Sequence, residues 1–353
     1  MKQNVLITGA SGLIGSQCVE FFSNLGFNVI GVDNNMRAYF FGRDASTQSI
    51  KERLESKYPL YQCLPLDVRE MGAVEFVFKK TNIDLIIHTA AQPSHDWAVR
   101  EPLTDFSVNA QGTLNLLELC RLYCPEATFI FTSTNKVYGD APNKLKLTEL
   151  ETRYECFDSQ GLPYSVDEGM SIDQCTHSIF GASKVAADIM VQEYGRCFNI
   201  KTGIFRGGCL TGPNHKGAEL HGFLSYLVKC ITHGEDYTIF GYKGKQVRDN
   251  IHSADLVNMF WEFHQKPRRG EVYNVGGGRA NSVSVLEAID KIKKISNKKW
   301  DSYSLSPQAR AGDHMWYITD FSKFQNHFPS WQLTYSIDQI IEEIVKYEHD
   351  SAT

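Results

Sequence analysis

Short apolar segments alternate with longer amphipathic segments through the first two hundred residues. Runs of consecutive apolar residues are typical of buried strands, whereas apolar residues at a spacing of three or four are typical of helices. The predicted strands are residues 4–7, 28–32, 60–66, 85–88 and 128–132. The predicted helices are residues 16–25, 70–80, 109–123 and 180–198. This alternation predicts an α/β fold with a doubly wound parallel sheet, covered by helices on both faces.

The second half of the chain is less regular. Helix-like and strand-like segments alternate there with polar loops, at residues 220–232, 237–240, 271–275 and 283–295. Because no Pro/Ser-rich linker separates the halves, we expect a smaller C-terminal lobe that is interleaved with the first domain. The predicted boundaries are 1–204 for the first domain, with 245–270 returning to it, and 205–244 and 271–353 for the lobe.

Composition narrows the class of protein. Apolar residues make up 42% and charged residues 22% of 353 residues, which is typical of a globular protein. The net charge of -5 argues against nucleic acid as a partner. No apolar run approaches the roughly 20 residues of a membrane span, so we expect no membrane partner. The nine cysteines form no Cys-x-x-Cys pair, which favours reduced, mostly buried thiols in a cytoplasmic protein.

A glycine-rich turn follows the first predicted strand and opens the first helix. Gly9, Gly12 and Gly15 are spaced as Gly-x-x-Gly-x-x-Gly. Glycine allows a tight turn and lets the backbone approach a pyrophosphate, and the helix N-terminus offers N–H donors to it. The sequence therefore predicts a dinucleotide site whose phosphate-binding residues are Gly9, Ser11, Gly12, Leu13, Ile14 and Gly15.

Acidic residues follow the second and third predicted strands. Asp33, with Asn34 beside it, lies 18 residues beyond Gly15 and can accept hydrogen bonds from ribose hydroxyls. A carboxylate there would repel a 2′-phosphate, which favours NAD over NADP, although Arg37 could accommodate such a phosphate. Asp67 could accept from the adenine amino group or cap the following helix.

Three further motifs, in this order along the chain, complete a resemblance. They are residues 67–68 (DV), 88–92 (HTAAQ) and 133–139 (STNKVYG). With the glycine loop, they resemble the extended short-chain dehydrogenases/reductases, which are nucleotide-sugar epimerases and dehydratases. Segments 133–140, 148–154 and 244–249 resemble, within that group, the CDP-paratose 2-epimerases, also called CDP-tyvelose epimerases.

The resemblance implies a Rossmann-type fold whose smaller lobe holds a nucleotide sugar. It implies bound NAD, with Val68, Ala90, Ala91, Gln92 and Lys184 at the cofactor. The implied reaction is epimerisation, here at C2 of a CDP-hexose: NAD takes a hydride from a sugar carbon and returns it to the other face of the transient ketose. Another reaction on a sugar nucleotide, by 4,6-dehydration or by oxidation or reduction, is the alternative. Thr134-Asn135-Lys136 stands where dehydratases carry Asp-Glu, which disfavours dehydration.

The chain departs from the family at one catalytic position. Members carry Tyr-x-x-x-Lys, whereas residues 177–184 read HSIFGASK, so Lys184 is present and Phe180 replaces the tyrosine. Phenylalanine cannot transfer a proton. Either a neighbour does this work (Thr134, Lys184 itself, or His177 oriented by Asp173), or the protein binds its ligands without catalysis, or the substrate needs no base here.

Further residues are candidates for the substrate. The resemblance places His95, Asn135 and Lys136 near the sugar, with His95 also able to act as acid or base. Arg248 and Arg310 are expected on the diphosphate, since arginine offers a planar fork of donors to phosphate, and Asp313 on a ribose or an arginine. CDP is the expected nucleotide by resemblance.

Two expectations concern assembly and metals. The resemblance implies a homodimer formed by helices 109–123 and 180–198. The 11 histidines show no ligand spacing, so we expect no metal site. Arg206 is expected to be a structural ion-pair partner.

Overall fold

The computed structural model describes residues 2–215, 222–309 and 312–352. Its strands are β1 (Asn4–Thr8), β2 (Asn28–Val32), β3 (Tyr61–Leu64), β4 (Leu85–His88), β5 (Thr128–Thr134), β6 (Leu147–Glu149), β7 (Tyr154–Cys156), β8 (Lys201–Gly207), β9 (Cys209–Thr211), β10 (Tyr237–Phe240), β11 (Val247–His252), β12 (Glu271–Val275), β13 (Ser282–Ser284), β14 (Tyr303–Ser306) and β15 (Trp316–Tyr317). Its α-helices are α1 (Leu13–Asn24), α2 (Met36–Phe41), α3 (Gln48–Lys57), α4 (Met71–Lys80), α5 (His95–Arg100), α6 (Pro102–Phe106), α7 (Gly112–Tyr123), α8 (Ser178–Cys197), α9 (Phe223–His233), α10 (Ser253–Gln265), α11 (Val285–Ser296), α12 (Ser322–His327) and α13 (Ile337–Ala352).

A seven-stranded sheet organises the first part of the chain. Its strand order is β12-β8-β5-β4-β1-β2-β3, and β1 pairs in parallel with both β2 and β4. The pairs β2–β3 and β4–β5 are parallel as well. The order reverses on the two sides of β1, which is the doubly wound arrangement. The predicted α/β, Rossmann-type fold is confirmed.

The apolar pattern explains why this sheet forms. Leu6, Ile86 and Phe129 are fully buried in neighbouring strands, as expected of a sheet covered on both faces. Helix α1 buries Ile14, Cys18 and other residues at helical spacing, and Gly26, with φ 83°, ends the chain's helical path in the left-handed region.

The chain divides into two compact units. The first unit comprises Met1–Val137, Ile179–Arg206 and Leu256–Tyr273, and the second comprises Tyr138–Ser178, Gly207–Asp255 and Asn274–Thr353. This division differs from the predicted boundaries, because residues 138–178 group with the second unit and because 256–273 replaces 245–270 as the returning segment.

Main-chain and side-chain hydrogen bonds explain the first difference. The Tyr138 hydroxyl donates to Asn274 Oδ1 at 2.7 Å. The Tyr154 N–H donates to the Lys245 carbonyl at 2.9 Å, and the Val166 N–H donates to the Ile318 carbonyl at 2.8 Å. Each of these bonds joins residues that are 91 or more positions apart in the sequence, so no local pattern could reveal them.

The second unit has its own core. In its four-stranded sheet β11 pairs with β13, β15 and β9, while β10 pairs with β14 and β6 with β7. Leu227 of α9, Ile289 of α11 and Ile341 of α13 belong to one buried cluster. Helix α11 begins with a capping box, in which the Ser284 and Glu287 side chains each bond the other's main-chain N–H.

Some general features of the described residues bear on the sequence predictions. None of their helices is long and apolar enough to cross a membrane. No group of three His, Cys, Asp or Glu residues among them is arranged to hold a metal ion. The nine cysteines are all free thiols and six of them are buried, as predicted.

Candidate functional site

The loop between β1 and α1 brings main-chain segments closer than any side chain would allow. Gly9 has φ 67°, and its N–H donates to the Val32 carbonyl at 2.8 Å. A Cβ atom on Gly15 would lie 2.0 Å from the Gly9 carbonyl oxygen, and one on Gly9 would lie 2.8 Å from the Ala90 nitrogen. Only glycine fits at these positions, which explains the first and last glycines of the motif.

The first turn of α1 is open to an anion. Gly12 is the N-cap, no side chain caps the helix, and the first turn contains no acidic residue. Leu13, Ile14 and Gly15 therefore present main-chain N–H groups that no side chain of the cap satisfies, together with the positive end of the helix dipole. Such an N-terminus, reached through a turn that begins and ends with glycine, fits the diphosphate of a dinucleotide.

Asp33 stands at the end of β2 beside this loop. Its Oδ2 accepts from the Ser11 N–H at 2.9 Å, and its Oδ1 accepts from the Asn35 N–H at 2.8 Å. Each carboxylate oxygen keeps further acceptor capacity, which suits the hydroxyls of a ribose. The loop and the predicted ribose acceptor are thus joined by a direct hydrogen bond.

Asp67 is held by neighbours and does not cap a helix. Helix α4 has Glu70 as its N-cap, so the expectation that Asp67 caps it is wrong. Arg69 pairs with Asp67 at 2.7 Å and Asn34 donates to it at 2.9 Å. Burial raises the pKa of Asp67, but the hydrogen bonds from Arg69 and Asn34 outweigh it and hold that pKa below its usual value. Asp67, the predicted acceptor for the adenine amino group, is therefore an ionised carboxylate near neutral pH.

Val68 and Arg37 occupy different surroundings. Val68 is buried, and a Cβ on Gly112 would lie 2.7 Å from its Cγ2, so helix α7 packs directly against it. The Arg37 guanidinium lies over the Phe41 ring, 4.9 Å from its centre. Burial lowers the pKa of Arg37 to about 10.

The segment after β4 is fixed by a buried polar network. The Ala90 N–H donates to Thr8 Oγ1 at 3.3 Å, and Ala91, beside it, is half-buried. Gln92 is fully buried: its Nε2 donates to Asp105 at 2.7 Å and to the Ser94 carbonyl at 2.8 Å. The side chain of Gln92 is thus used to hold the loop, and its main-chain N–H and carbonyl are both bonded to the Asn109 side chain, at 2.9 and 3.1 Å.

Lys184 lies in the second turn of α8 with its ammonium inside the protein. It is 3% exposed, its Nζ donates to the Thr132 carbonyl at 2.8 Å, and Nζ lies 4.2 Å from the centre of the Phe131 ring. Burial lowers the pKa of Lys184 to about 8, against the opposing effect of Asp188 and Asp105. The group holds its proton less firmly than an ordinary lysine.

The end of β5 separates a structural serine from a neighbouring threonine. Ser133 donates to Asp188 at 2.6 Å, and Arg206 pairs with the same buried carboxylate at 2.8 Å, which confirms Arg206 as a structural partner. Thr134 Oγ1 accepts from the Lys136 N–H at 3.2 Å, while no described residue accepts its own hydrogen. Asn135 is buried and begins the 3₁₀ turn Asn135–Tyr138.

Sequence reasoning missed a histidine behind this region. The Thr113 hydroxyl donates to the Asn109 carbonyl at 2.6 Å, so it must accept from His88 Nε2–H at 2.9 Å. His88 Nδ1 then accepts from the Thr8 hydroxyl at 2.6 Å. Burial lowers the pKa of His88 to about 3, with a contribution from the charge of Lys184. In the sequence this histidine is marked only as the first residue of the 88–92 motif, at the end of an apolar strand.

Phe180, which replaces the tyrosine, packs against a histidine. It is 6% exposed, and its ring centre lies 4.9 Å from that of His95, with the ring planes at 68°. His95 is half-buried and begins α5, whose N-cap Ser94 accepts from the Trp97 N–H. The first unit therefore holds Thr134, Phe180, Lys184 and His95, along with the cofactor loop.

His177 belongs to the second unit. The Cys175 Sγ lies 3.6 Å from His177 Nε2, and no described carboxylate is bonded to the ring, so the expectation that Asp173 orients His177 is wrong. The segment is tied down by Asp140, which accepts from the Thr176 N–H at 2.9 Å.

Arg248 is paired within the second unit. Its Nη2 lies 2.5 Å from Asp313 Oδ1, and the side chains are 13% and 25% exposed. The Arg248 Nη1 also donates to the Val247 carbonyl at 2.7 Å. The structure thus supports an arginine as the partner of Asp313. Arg310 lies outside the described residues.

The chain resembles known proteins over most of its length. The model of the NAD dependent epimerase/dehydratase family matches residues 5–276. CDP-paratose 2-epimerase of Salmonella typhi is 31% identical over 329 residues, which cover 91% of this chain and 92% of that protein. Human UDP-glucose 4-epimerase is 27% identical, over 99% of this chain and 97% of that protein.

Solved structures share the fold. UDP-glucose 4-epimerase from Bifidobacterium longum, in complex with NAD+ and UDP, has a TM-score of 0.80 and is 24% identical over 99% of both chains. DesIV, a dTDP-glucose 4,6-dehydratase from Streptomyces venezuelae with NAD bound, has a TM-score of 0.79, is 20% identical and covers 99% of this chain and 97% of that one. With the family model spanning most of its length, this chain belongs to the NAD dependent epimerase/dehydratase family of enzymes.

Proposed function

We propose that this protein epimerises a nucleoside-diphosphate sugar, at C2 of a CDP-hexose, through a transient ketone. One observation carries the proposal: a glycine-rich diphosphate loop, an acidic ribose acceptor and a buried lysine occur together in the first unit of a member of this family. NAD fits these groups better than NADP, since the Asp33 carboxylate would repel a 2′-phosphate.

The chain's own residues have distinct parts in this proposal. Gly9, Gly12 and the first turn of α1 hold the diphosphate of NAD, and Asp33 holds the adenosine ribose. NAD supplies the acceptor and later the donor of a hydride. Lys184, fixed to the Thr132 carbonyl, presents its ammonium to the nicotinamide ribose.

Thr134 positions the sugar. Its hydroxyl already accepts from the Lys136 N–H, so its remaining hydrogen is directed by that bond and can be donated to a substrate oxygen. We place Asn135 and Lys136 beside the same sugar, and His177 remains a candidate proton carrier from the second unit.

The choice of C2 and of CDP rests on resemblance and on one absence. The relative from Salmonella typhi is named for C2 epimerisation of CDP-paratose and is 31% identical to this chain. Thr134 is followed by Asn135-Lys136 and not by an acidic pair, which leaves no carboxylates at the place where we would expect them for dehydration. Arg248, Arg310 and Asp313 would hold the diphosphate and ribose of the substrate.

A product assay tests this function. Purified protein, checked for bound dinucleotide, is incubated separately with CDP-paratose, UDP-glucose and dTDP-glucose, and the products are identified by NMR. We expect the C2 epimer from CDP-paratose. A C4 epimer or a 4-keto-6-deoxy product would instead assign a different reaction on a sugar nucleotide.

Phe180 favours a second candidate function. Because this side chain cannot exchange a proton, the protein could bind NAD and a sugar nucleotide without converting it. Tight binding of all three sugar nucleotides without any product, followed by turnover in Phe180→Tyr, would support this candidate.

We also propose a homodimer in the cytoplasm. Leu122 and Tyr123 at the end of α7, and Ile179, Ile189 and Phe198 in or beside α8, are exposed apolar residues. Covering them would remove apolar surface from water, and light scattering of the purified protein gives the mass that tests this. Free thiols suit a reducing compartment.

A further inference from the structure

The proposed reaction needs a group that takes a proton, and Phe180 cannot be that group. An imidazole lies against it instead: the His95 and Phe180 ring centres are 4.9 Å apart in an edge-to-face arrangement. Imidazole ionises near neutral pH and is the side chain most often used for proton transfer. The phenyl ring at the position of the family tyrosine is therefore in contact with an ionisable ring.

Buried hydrogen bonds fix the main chain that leads into His95. Gln92 accepts from the Ser94 N–H at 2.5 Å and donates to the Ser94 carbonyl at 2.8 Å. Gln92 is itself bound to Asp105 at 2.7 Å, and Asn109 donates to the Gln92 carbonyl at 3.1 Å. Ser94 is thus fixed on both main-chain groups, which fixes the point at which α5 and His95 begin.

We propose that His95 is the acid/base of this enzyme and takes over the proton transfer that a tyrosine performs in its relatives. This inference rests on the proposed epimerisation. Phe180 has a positioning part, since its ring supports the imidazole at the reacting face.

The proton and hydride balance is complete without another reactant. The sugar O–H bond would break as an imidazole nitrogen takes the proton, the C–O bond would become C=O, and bound NAD would supply the acceptor for the hydride of the C–H bond. On return, the hydride adds to the other face of the carbonyl carbon, and the imidazolium gives its proton back to the oxygen. His95 ends each cycle neutral.

Other proton carriers in the first unit are less suited. The Lys184 ammonium is 3% exposed and already donates to the Thr132 carbonyl, so a change of its charge would leave that oxygen without its donor. Thr134 carries an alcohol, which is not a base near neutral pH. His95 is half-buried, so part of it is open to solvent.

Matched glutamine substitutions test the inference in the holoenzyme. With CDP-paratose, His95→Gln should lower kcat by about 100-fold or more, as expected for the loss of a general base, while bound NAD stays equal to wild type. His233→Gln, at an exposed histidine that ends α9, is the control and should change kcat by less than about threefold, and His177→Gln is measured beside it. A near-wild-type kcat in His95→Gln, or a large loss confined to His177→Gln, would overturn the inference.

A rescue and a spectroscopic readout complete the test. Phe180→Tyr placed in the His95→Gln background should restore kcat at least tenfold, because it supplies a phenol; no recovery together with folded, NAD-loaded protein counts against the inference. In protein with ¹³C-labelled histidine, the His95 Cε1 resonance, assigned by its loss in His95→Gln, should shift with CDP-paratose and not with CDP. If wild type converts no sugar nucleotide, the proposed function fails, and this resonance alone decides whether His95 meets the sugar.

Discussion

Two cations, one buried in the first unit and one partly exposed in the second, are compensated in opposite ways. The Lys184 ammonium in the first unit donates to a carbonyl oxygen, and no carboxylate of the described residues lies within ion-pair distance of it. The Arg248 guanidinium in the second unit lies 2.5 Å from the Asp313 carboxylate. Burial without a paired charge lowers the pKa of Lys184 to about 8.

The difference separates two ways of preparing a ligand site. A buried charge without a paired carboxylate raises the free energy of the unliganded protein, and a polar ligand that contacts it removes this cost. A paired group costs little stability, but a phosphate must share or replace its carboxylate partner. The first turn of α1, which no side chain caps, lies in the same unit as Lys184. The first unit is therefore the one whose ligand-binding groups lower its folding stability.

We expect the largest effect from adding a side chain to the glycine loop of the first unit. In Gly15→Ala the new Cβ would lie 2.0 Å from the Gly9 carbonyl oxygen. We expect NAD binding to weaken at least about 100-fold and the unfolding free energy to fall by about 3 kcal/mol. Calorimetric titration with NAD and denaturant unfolding measure the two effects.

Gly72→Ala is the matched control, because a Cβ there meets nothing within 4 Å. It should leave NAD binding unchanged and stabilise helix α4 by about 0.5–1 kcal/mol. Equal behaviour of the two variants would show that the loop does not depend on close main-chain contact.

Lys184→Met removes the uncompensated charge itself. A lysine whose folded pKa is lowered binds fewer protons when folded than when unfolded between about pH 8 and 10.5, so wild-type stability rises with pH in that window. Below it the full burial cost remains, and the variant should be more stable at pH 7 by up to about 3 kcal/mol, an advantage that shrinks towards pH 10.5. Unfolding curves of both proteins across this range check the sign, and NAD affinity should fall in the same variant. A variant that is less stable at pH 7 would break the comparison.

Arg248→Gln examines the compensated side. If the guanidinium binds the substrate diphosphate, we expect KM for the sugar nucleotide to rise about tenfold to 100-fold with little change in kcat, because binding remote from the reacting carbon is lost. Arg268→Gln, which removes an exposed pair with Glu271, is the control and should alter neither constant. A loss confined to kcat would assign Arg248 a different part.

Asp33→Asn should produce the smallest effect. One acceptor oxygen remains for the Ser11 or Asn35 N–H, while the charge is lost. We expect NAD affinity to fall by about tenfold or less and the preference for NAD over NADP to narrow, as measured by parallel titrations. An unchanged preference would mean that Asp33 does not meet the ribose.

The pattern of apolar residues predicted those strands that consist of one short apolar run. The bounds of β2, β4, β10 and β12 agree with the predicted strands, since each is a short apolar run between polar turns. Helix α7 begins at Gly112 and not at residue 109, because Ser107–Gln111 forms a π-helical turn. Asn109 in that turn accepts from the Gln92 N–H at 2.9 Å, a partner that helical periodicity does not reveal.

The candidate site could likewise be predicted only where it depends on local sequence. The glycine loop could be predicted, because it depends on residue type at fixed spacing. Gln92 could not be separated from cofactor ligands, since its partners Asp105 and Ser94 are defined only by folding. The contact between His95 and Phe180 joins positions 85 residues apart and required the structure.

The Thr8–His88–Thr113 chain has a consequence for kinetics. The His88 imidazole stays neutral from mild acid upward, so its charge does not change as the pH is varied around neutrality. Any bell-shaped pH–rate profile of this enzyme near neutral pH must then report the ionisation of other groups.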